Sequence, residues 1–301
     1  MTAPAFAQLI LLAAIWGASF LFMRISAPVL DAAWLADLRV GFAAIFLMGV
    51  ALWLKRPLRL RAHWKHYAIL GVINSALPFL LYNYAAQTLS ASVLSIVNAL
   101  APIWGALVVA IWTRQAITPR AALGMLVGVV GVVVLVGLTD LPEGHQGLWA
   151  LAAAIAAPLC YGIASCYARQ APQVSAFNNA HGSMWLATLA LMPLLPLNPP
   201  STLPSTEVMG AILALGVLCS GVAYLMYFRL IAIAGPASAL TVTFLIPLFG
   251  MLWGHTFLDE PVGWHTVAGG ILVICGTMLV TGFSPSALFG RKRTQVATDR
   301  A

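Results

Sequence analysis

Long apolar runs separated by short polar stretches repeat along the whole chain. Runs of about 20 apolar residues are typical of helices that cross a lipid bilayer. The pattern therefore predicts an all-α polytopic membrane protein with ten transmembrane helices joined by short loops. The predicted spans cover residues 5–27, 33–54, 66–88, 91–112, 119–138, 146–168, 178–198, 207–231, 238–258 and 264–283.

The second half of the chain repeats the first when the sequence is shifted by 145 residues without a gap. Under this shift Tyr82 falls on Tyr227 and Pro102 falls on Pro247. Each half holds five predicted spans, an odd number, so the two repeats are expected to insert in opposite orientations. Inverted repeats are typical of secondary transporters, whose substrate site lies between the repeats near the bilayer midplane.

The repeat divides the chain into four predicted parts. Residues 1–138 form the first five-helix repeat, 139–147 a polar linker, 148–283 the second five-helix repeat and 284–301 a basic tail. The first apolar run has no basic leading segment and continues directly into the repeat. We interpret it as a retained helix rather than a cleaved signal peptide.

Charge predicts the orientation of the chain. Only 8% of the 301 residues are charged, against about 25% in soluble domains. If both termini are cytoplasmic, all of the 15 Lys and Arg except Arg24 and Arg39 lie on the inner side. This distribution predicts a multi-pass protein of the cell inner membrane with cytoplasmic termini. The net charge of +7 then reflects topology and contact with the lipid bilayer, so we expect no nucleic-acid partner.

Catalytic chemistry is not expected. A metal enzyme needs clustered His, Asp or Glu ligands, and a serine hydrolase needs a nucleophile beside a base. The spans show neither pattern, so we predict no catalytic residue, no metal and no cofactor. An intramembrane enzyme and a receptor or scaffold are the alternatives from other classes. The four cysteines, which have no metal-ligand spacing, are expected to be buried thiols.

Proton coupling is not favoured either. No Asp or Glu lies deep in a predicted span, and carboxylates at membrane depth are the usual proton relays. His181 and His255 lie within predicted spans but near their ends. The pattern therefore favours facilitated diffusion.

Two prolines at equivalent positions indicate a polar cavity. Pro102 and Pro247 lie within spans four and nine, and each frees the carbonyl four residues earlier, at Asn98 and Thr243. Freed carbonyls are tolerated at membrane depth where protein or a water-filled cavity satisfies them. We expect both spans to line such a cavity. The alternative is two kinks satisfied by neighbouring helices.

Aromatic side chains deep in the spans suit an amphipathic or aromatic substrate. With the proline pairs, the predicted substrate-binding residues are Trp16, Tyr82, Asn98, Pro102, Trp104, Tyr161, Trp185, Tyr224, Tyr227, Thr243 and Pro247. Arg39 and Glu260 are predicted gating residues. Asp37 and Asp259 are other candidate partners of the arginine, and snorkelling to the interface is the alternative.

Spaced glycines in spans five and ten favour close packing, and we expect a monomer or a weak homodimer.

Several short motifs follow one another along nearly the whole chain. They are residues 14–20, Leu38-Arg39 with Phe42, residues 84–102, residues 227–247, and residues 257–260 followed by Gly269-Gly270. In this order they resemble the EamA-type family of the drug/metabolite transporter superfamily. The resemblance implies ten helices, a central cavity shared by the repeats, and export or exchange of small metabolites, often amino acids. The chain departs from the family at Arg114-Gln115, where an acidic residue is common.

The interior, rich in aromatic residues and poor in charge, is similar to that of YddG-like amino-acid exporters. This likeness implies an aromatic or other neutral amino acid as the small-molecule substrate. A proton-coupled exporter of drugs, nucleobases or other metabolites with the same fold is the alternative.

Overall fold

The computed structural model describes residues 3–137, 145–200, 203–235, 239 and 241–282, and these residues form helices and loops without strands. Several helices begin at a side chain that accepts a hydrogen bond from the first turn, as Ser90 does from Val93 and Ser205 from Val208. The helical segments are α1 (Ala3–Ser26), α2 (Ala32–Trp53), α3 (Leu60–Ala86), α4 (Ala91–Thr113), α5 (Pro119–Gly137), α6 (His145–Gln170), α7 (Ala176–Leu197), α8 (Thr206–Ala234), α9 (Val242–Leu258) and α10 (Trp264–Thr281).

Length and composition fit a membrane protein. Eight of these segments are long and apolar enough to cross a membrane, and α5 and α9 are the two other apolar helices. The prediction of an all-α membrane protein with ten spans is therefore confirmed. The side of the membrane on which α1 ends is called the outer side below, in keeping with the predicted topology.

Glycines join α5 to α10, which are equivalent helices of the two repeats. A Cβ atom at Gly124 would lie 2.6 Å from the carbonyl oxygen of Gly276, and one at Gly131 would lie 2.9 Å from that of Gly269. The start of one helix thus meets the end of the other, so the helices are antiparallel. Because they are equivalent, the second repeat has the opposite orientation to the first. The glycines serve close packing within one chain.

A second pair of crossings joins the repeats near their centre. A Cβ atom at Gly17 would lie 2.6 Å from Cβ of Phe249, and one at Gly162 would lie 3.0 Å from the carbonyl carbon of Trp104. These contacts are related by the shift of 145 residues. The first helix of each repeat therefore packs closely on the fourth helix of the other, which brings α1, α4, α6 and α9 together.

Two helices contain π-helical turns, and the two segments overlap when the sequence is shifted by 145 residues. The segment in α3 covers Val72–Ala76, and the one in α8 covers Ala214–Val222. Hydropathy did not predict these segments, since an α-turn and a π-turn of the same residues are equally apolar. Such turns within α-helices are frequent at functional sites.

The proline-containing helices differ from each other. Helix α4 is interrupted between Asn98 and Ala101, just before Pro102. Helix α9, in contrast, stays helical through Pro247. The expected symmetry between the two kinks is therefore not seen in the helix geometry.

Other sequence expectations need small corrections. Helix α3 begins at Leu60, six residues before the predicted start, because Arg61 and Lys65 lower the hydropathy of its first turns. Cys160, Cys166 and Cys219 are buried, but Cys275 is exposed on α10, so the expectation of four buried thiols is wrong for that residue. Most of the predicted linker (139–144) and the predicted tail (284–301) lie outside the described residues.

Candidate functional site

Three aromatic side chains form a cluster between α1 and α8. The Trp16 ring centroid lies 6.2 Å from that of Tyr224 and 5.3 Å from that of Tyr227, with interplanar angles of 77° and 49°. Trp16 Nε1 also donates a hydrogen bond to the carbonyl of Cys219, 3.1 Å away, within the π-helical segment of α8. The irregular backbone therefore helps to orient the indole ring.

Tyr82 and Asn98 form a polar pair on the side of the first repeat. The Tyr82 hydroxyl donates to Asn98 Oδ1 at 2.9 Å, and the Tyr82 ring packs edge-on against Phe20 with centroids 5.7 Å apart. Tyr82 is buried and Asn98 is half-buried. Their equivalents under the 145-residue shift are Tyr227 and Thr243, so each repeat supplies a tyrosine and a short polar side chain at matching positions.

Tyr161 of α6 and Tyr224 of α8 are half-buried, like Trp16 and Tyr227. These four side chains come from both repeats and would border the cavity that the sequence predicts between them. The Asn74 amide, in the π-helical segment of α3, approaches the Tyr224 hydroxyl at 3.5 Å. We call this predicted space, with Trp16, Tyr161, Tyr224 and Tyr227 around it, the central cavity.

The interruption of α4 is satisfied by protein. The Thr277 hydroxyl of α10 donates to the carbonyl of Ala99 at 2.8 Å, as the free backbone at membrane depth requires. The equivalent of Thr277 in the first repeat is Val132, which has no hydroxyl. Pro102 is half-buried and Pro247 is buried. This bond lies one residue after Asn98, whose carbonyl Pro102 is predicted to free, so the choice between a cavity and a kink satisfied by neighbouring helices stays open.

Trp104 and Trp185 lie apart from the aromatic cluster. Trp185 Nε1 donates to His181 Nε2 at 3.1 Å. The Trp185 side chain packs against the apolar cluster where α2 contacts α7. The Trp104 backbone contacts Gly162, and its indole nitrogen is buried without a hydrogen-bond partner among the described residues. Neither ring contacts the ring of Trp16 within this part of the chain.

Glu260 holds the outer ends of α4 and α9 together. It lies just after α9, is 8% exposed, and accepts hydrogen bonds from Ala91 N at 2.7 Å, Ser92 N at 3.1 Å and Ser92 Oγ at 2.9 Å. A carboxylate is favourable there because the first turn of a helix presents free N–H groups and the positive end of the helix dipole. The equivalent residue of the first repeat is Gln115, which is exposed.

Arg39 does not make the predicted pairing. Its Nε donates to Ser220 Oγ at 2.9 Å, and its guanidinium carbon lies 3.7 Å from the centroid of the Phe79 ring. Glu260 is instead bound to α4, and no carboxylate of the described residues lies within 4 Å of the guanidinium. With 5% of its surface exposed, the side chain is buried among protein atoms.

Two open cavities lie away from the central cavity. One of about 440 Å³ lies between α1 and α8 beside Gln8 and Arg229, and one of about 360 Å³ lies at the inner loops beside Arg56 and His63. Neither is lined by the aromatic cluster. Among the described residues, no group of three or more His, Cys, Asp or Glu could hold a metal ion.

The two halves of the chain each match one family model. The model described as the EamA-like transporter family matches residues 4–137 and again residues 148–282. The chain belongs to the EamA-like transporter family. Transporters of this kind act on small molecules and are embedded in the bilayer, and the family is not a class of enzymes.

Relatives of this EamA-like chain carry related names. An uncharacterized transporter of Archaeoglobus fulgidus is 29% identical over 288 residues, which are 89% of this chain and 93% of that protein. The "Probable terminal-alkyne amino-acid exporter" of Streptantibioticus cattleyicolor is 24% identical over 280 residues, 90% of this chain and 91% of that protein. One solved crystal structure, 19% identical, superposes with a TM-score of 0.65 and covers 93% of this chain and 97% of that one. That likeness shows a shared fold.

Sequence reasoning missed several polar partners in this EamA-like chain. The contacts of Ser92 with Glu260 and of Thr277 with Ala99 join segments that are 168 and 178 residues apart. A short hydroxyl side chain in an apolar span gives little signal by itself. Ser75 and Ser220 carry a stronger one, because they match under the 145-residue shift.

Proposed function

We propose that this protein is an exporter or facilitator of amino acids with aromatic or other neutral side chains. The observation that carries the proposal is the aromatic cluster of Trp16, Tyr224 and Tyr227, whose rings and polar groups come from both repeats. Aromatic faces suit an apolar ring, and hydroxyl and indole groups suit its polar substituents. The amino-acid exporter among the relatives supports this substrate class.

The proposed mechanism is alternating access, in which the two repeats rock around the central cavity. The contact between the outer ends of α4 and α9, which Glu260 joins, would break when the protein opens outwards. We place the protein in the inner membrane with cytoplasmic termini, because the basic residues concentrate on one side. We propose a monomer or a weak homodimer, since the glycines of α5 and α10 are used within one chain.

Uptake into proteoliposomes that hold the purified protein tests the proposal. Labelled phenylalanine, tryptophan and neutral aliphatic amino acids would be offered with and without an imposed pH gradient. Uptake that follows the substrate gradient alone is expected, in accord with the lack of carboxylates deep in the spans. Uptake that requires the pH gradient would favour the proton-coupled alternative, and no uptake of any amino acid would contradict the substrate class.

Single substitutions test whether the predicted substrate-binding residues are needed for transport. Tyr82→Ala, Asn98→Ala and Tyr227→Ala are each expected to impair transport while inserting normally into the membrane. Tyr84→Ala is the matched control, because Tyr84 is 40% exposed on the same helix as Tyr82. Full transport by all three central variants would contradict the site assignment.

A further inference from the structure

Arg39 is a buried cation within the membrane-spanning part of the fold. It lies seven residues after the start of α2, about 10 Å below the outer end of that helix at 1.5 Å per residue. Among the Lys and Arg residues that the structure describes, Arg39 alone is buried. An arginine at such depth is costly, and in membrane proteins it generally faces a cavity or the bundle interior and marks a functional site.

The partners of Arg39 leave its charge uncompensated. Apart from Ser220 and Phe79, the polar partner of the guanidinium among the described residues is the Met23 sulfur, 3.6 Å from Nη1. These are neutral groups, and the second terminal nitrogen, Nη2, donates no hydrogen bond to any described residue. A guanidinium is built to bind a carboxylate with two parallel hydrogen bonds. A carboxylate would therefore supply the counter-charge that these neutral groups do not provide.

The second repeat holds a neutral side chain at the position that corresponds to Arg39. The position equivalent to Arg39 in the second repeat is Met184, which is fully buried. Ser75, the equivalent of Ser220, has a buried hydroxyl without a hydrogen-bond partner among the described residues. A neutral side chain thus fills the same place in α7. The arginine is an addition to one repeat alone.

Arg39 lies beside the central cavity. Its Nε bonds to Ser220, and the carbonyl of the neighbouring residue, Cys219, accepts the hydrogen bond of Trp16 Nε1. The cavity therefore offers aromatic faces and hydroxyl groups next to one positive charge. A molecule with a ring and a carboxylate matches this arrangement.

We propose that Arg39 binds the carboxylate of the transported molecule, so that the substrate class is organic carboxylates with an apolar or aromatic portion. The proposal rests on the proposed transport through the central cavity and adds a specificity determinant to it. An amino acid satisfies it through its α-carboxylate, and a free amine does not.

Three ligands with the same ring test the assignment: L-phenylalanine, 3-phenylpropionate and phenethylamine. Apparent dissociation constants come from the ligand-dependent rise in melting temperature of the purified full-length protein. Wild type is expected to bind both carboxylates at least about tenfold more tightly than the amine, as a charge-assisted pair would provide. Arg39→Met, which copies Met184, is expected to lose this preference. Arg39→Lys keeps the positive charge but lacks the planar guanidinium, so it is expected to keep part of the preference for carboxylates.

Arg24→Met is the matched control, because Arg24 is the other arginine of the outer side and binds the carbonyls of Ala86 and Gln87. It is expected to keep the wild-type preference. Equal binding of all three ligands to wild type, or an unchanged carboxylate preference in Arg39→Met, would overturn the proposal. If Arg39→Met does not fold, Arg39→Asn replaces it, and an unchanged carboxylate preference in that variant would also overturn the proposal.

Uptake separates this proposal from the proposed function. Carboxylate-selective binding that depends on Arg39, without uptake of any amino acid, would support the carboxylate site and refute amino-acid transport. Uptake of L-phenylalanine by Arg39→Met at the wild-type rate would refute the carboxylate site and leave amino-acid transport standing.

Discussion

Replacement of Glu260 by Gln perturbs the contact that joins the two repeats on the outer side. Glutamine keeps the size of the side chain and one carbonyl oxygen, but its other atom becomes an NH₂ donor. In the native structure one carboxylate oxygen accepts from Ala91 N and the other from Ser92 N and Ser92 Oγ. Glutamine can keep the two bonds to Ser92. It then directs a donor at the N–H group of Ala91.

The cost follows from these contacts. A hydrogen bond to a charged group contributes about 1.5–3 kcal/mol, and a negative charge at a helix N-terminus about 0.3–1 kcal/mol. Because glutamine keeps the two bonds to Ser92, loss of one such bond and of the charge weakens the contact by an amount near the lower end of this sum, about 2 kcal/mol. At 1.4 kcal/mol per factor of ten, the equilibrium between outward-closed and outward-open states shifts roughly 30-fold towards the open state.

Labelling of a cysteine at position 95 measures this shift. Ser95 is fully buried between α4 and α9, next to Gly250, so it becomes accessible only when the outer ends separate. Ser95→Cys would be introduced into a variant without the four native cysteines. A membrane-impermeant maleimide would then be applied from the outer side. The labelling rate is expected to rise by up to roughly 30-fold in Glu260→Gln, as the population shift requires.

Asp259→Asn is the control for this experiment. Asp259 precedes Glu260, is exposed, and has a left-handed backbone with φ of 52° that asparagine tolerates. It is expected to leave the labelling rate unchanged. An unchanged rate in Glu260→Gln, or an equal rise in Asp259→Asn, would refute the view that Glu260 holds the outer side closed.

Two further substitutions test the packing between helices. Gly131→Ala would bring a methyl group within 2.9 Å of the carbonyl oxygen of Gly269, and overpacking of this kind costs about 1–3 kcal/mol. We therefore expect Gly131→Ala to lower the melting temperature. Gly49→Ala is the control, because no atom lies within 4 Å of its new methyl group, and it should leave the melting temperature unchanged or raise it. Equal effects of the two substitutions would contradict the close packing of α5 on α10. Thr277→Val removes the donor to the Ala99 carbonyl and should lower the melting temperature by leaving that carbonyl unpaired at membrane depth, a cost of about 1–3 kcal/mol. A melting temperature equal to that of wild type would show that another group satisfies the carbonyl.

Local patterns selected three predicted substrate-binding residues that the structure brings together, and their binding role stays a prediction. Trp16, Tyr224 and Tyr227 were predicted from depth and residue type, and they lie together in the structure. Depth alone could not separate them from Trp185, which packs against His181 instead. Rings of one type at similar depth look alike in the sequence, because the direction in which each helix face points depends on its neighbours.

The sequence by itself determined the helices, their number and the relation between the repeats. Hydropathy decides which segments enter the bilayer, since backbone polar groups in hydrocarbon must pair within a helix. The 145-residue shift matches Gly17 with Gly162, and these two glycines lie at the equivalent crossings of α1 with α9 and of α6 with α4. These features depend on local composition and on a repeat that can be read along the chain.

Only the tertiary structure decided which partner each polar group has. The sequence left Arg39 with three candidate carboxylates, and the fold placed it beside Ser220 and Phe79. Glu260 was expected at a gate with Arg39, and the fold directed its carboxylate to the start of α4. The physical reason is that a polar group in an apolar bundle binds whichever donor or acceptor lies within about 3 Å. Helix packing between segments far apart in the chain determines which group that is.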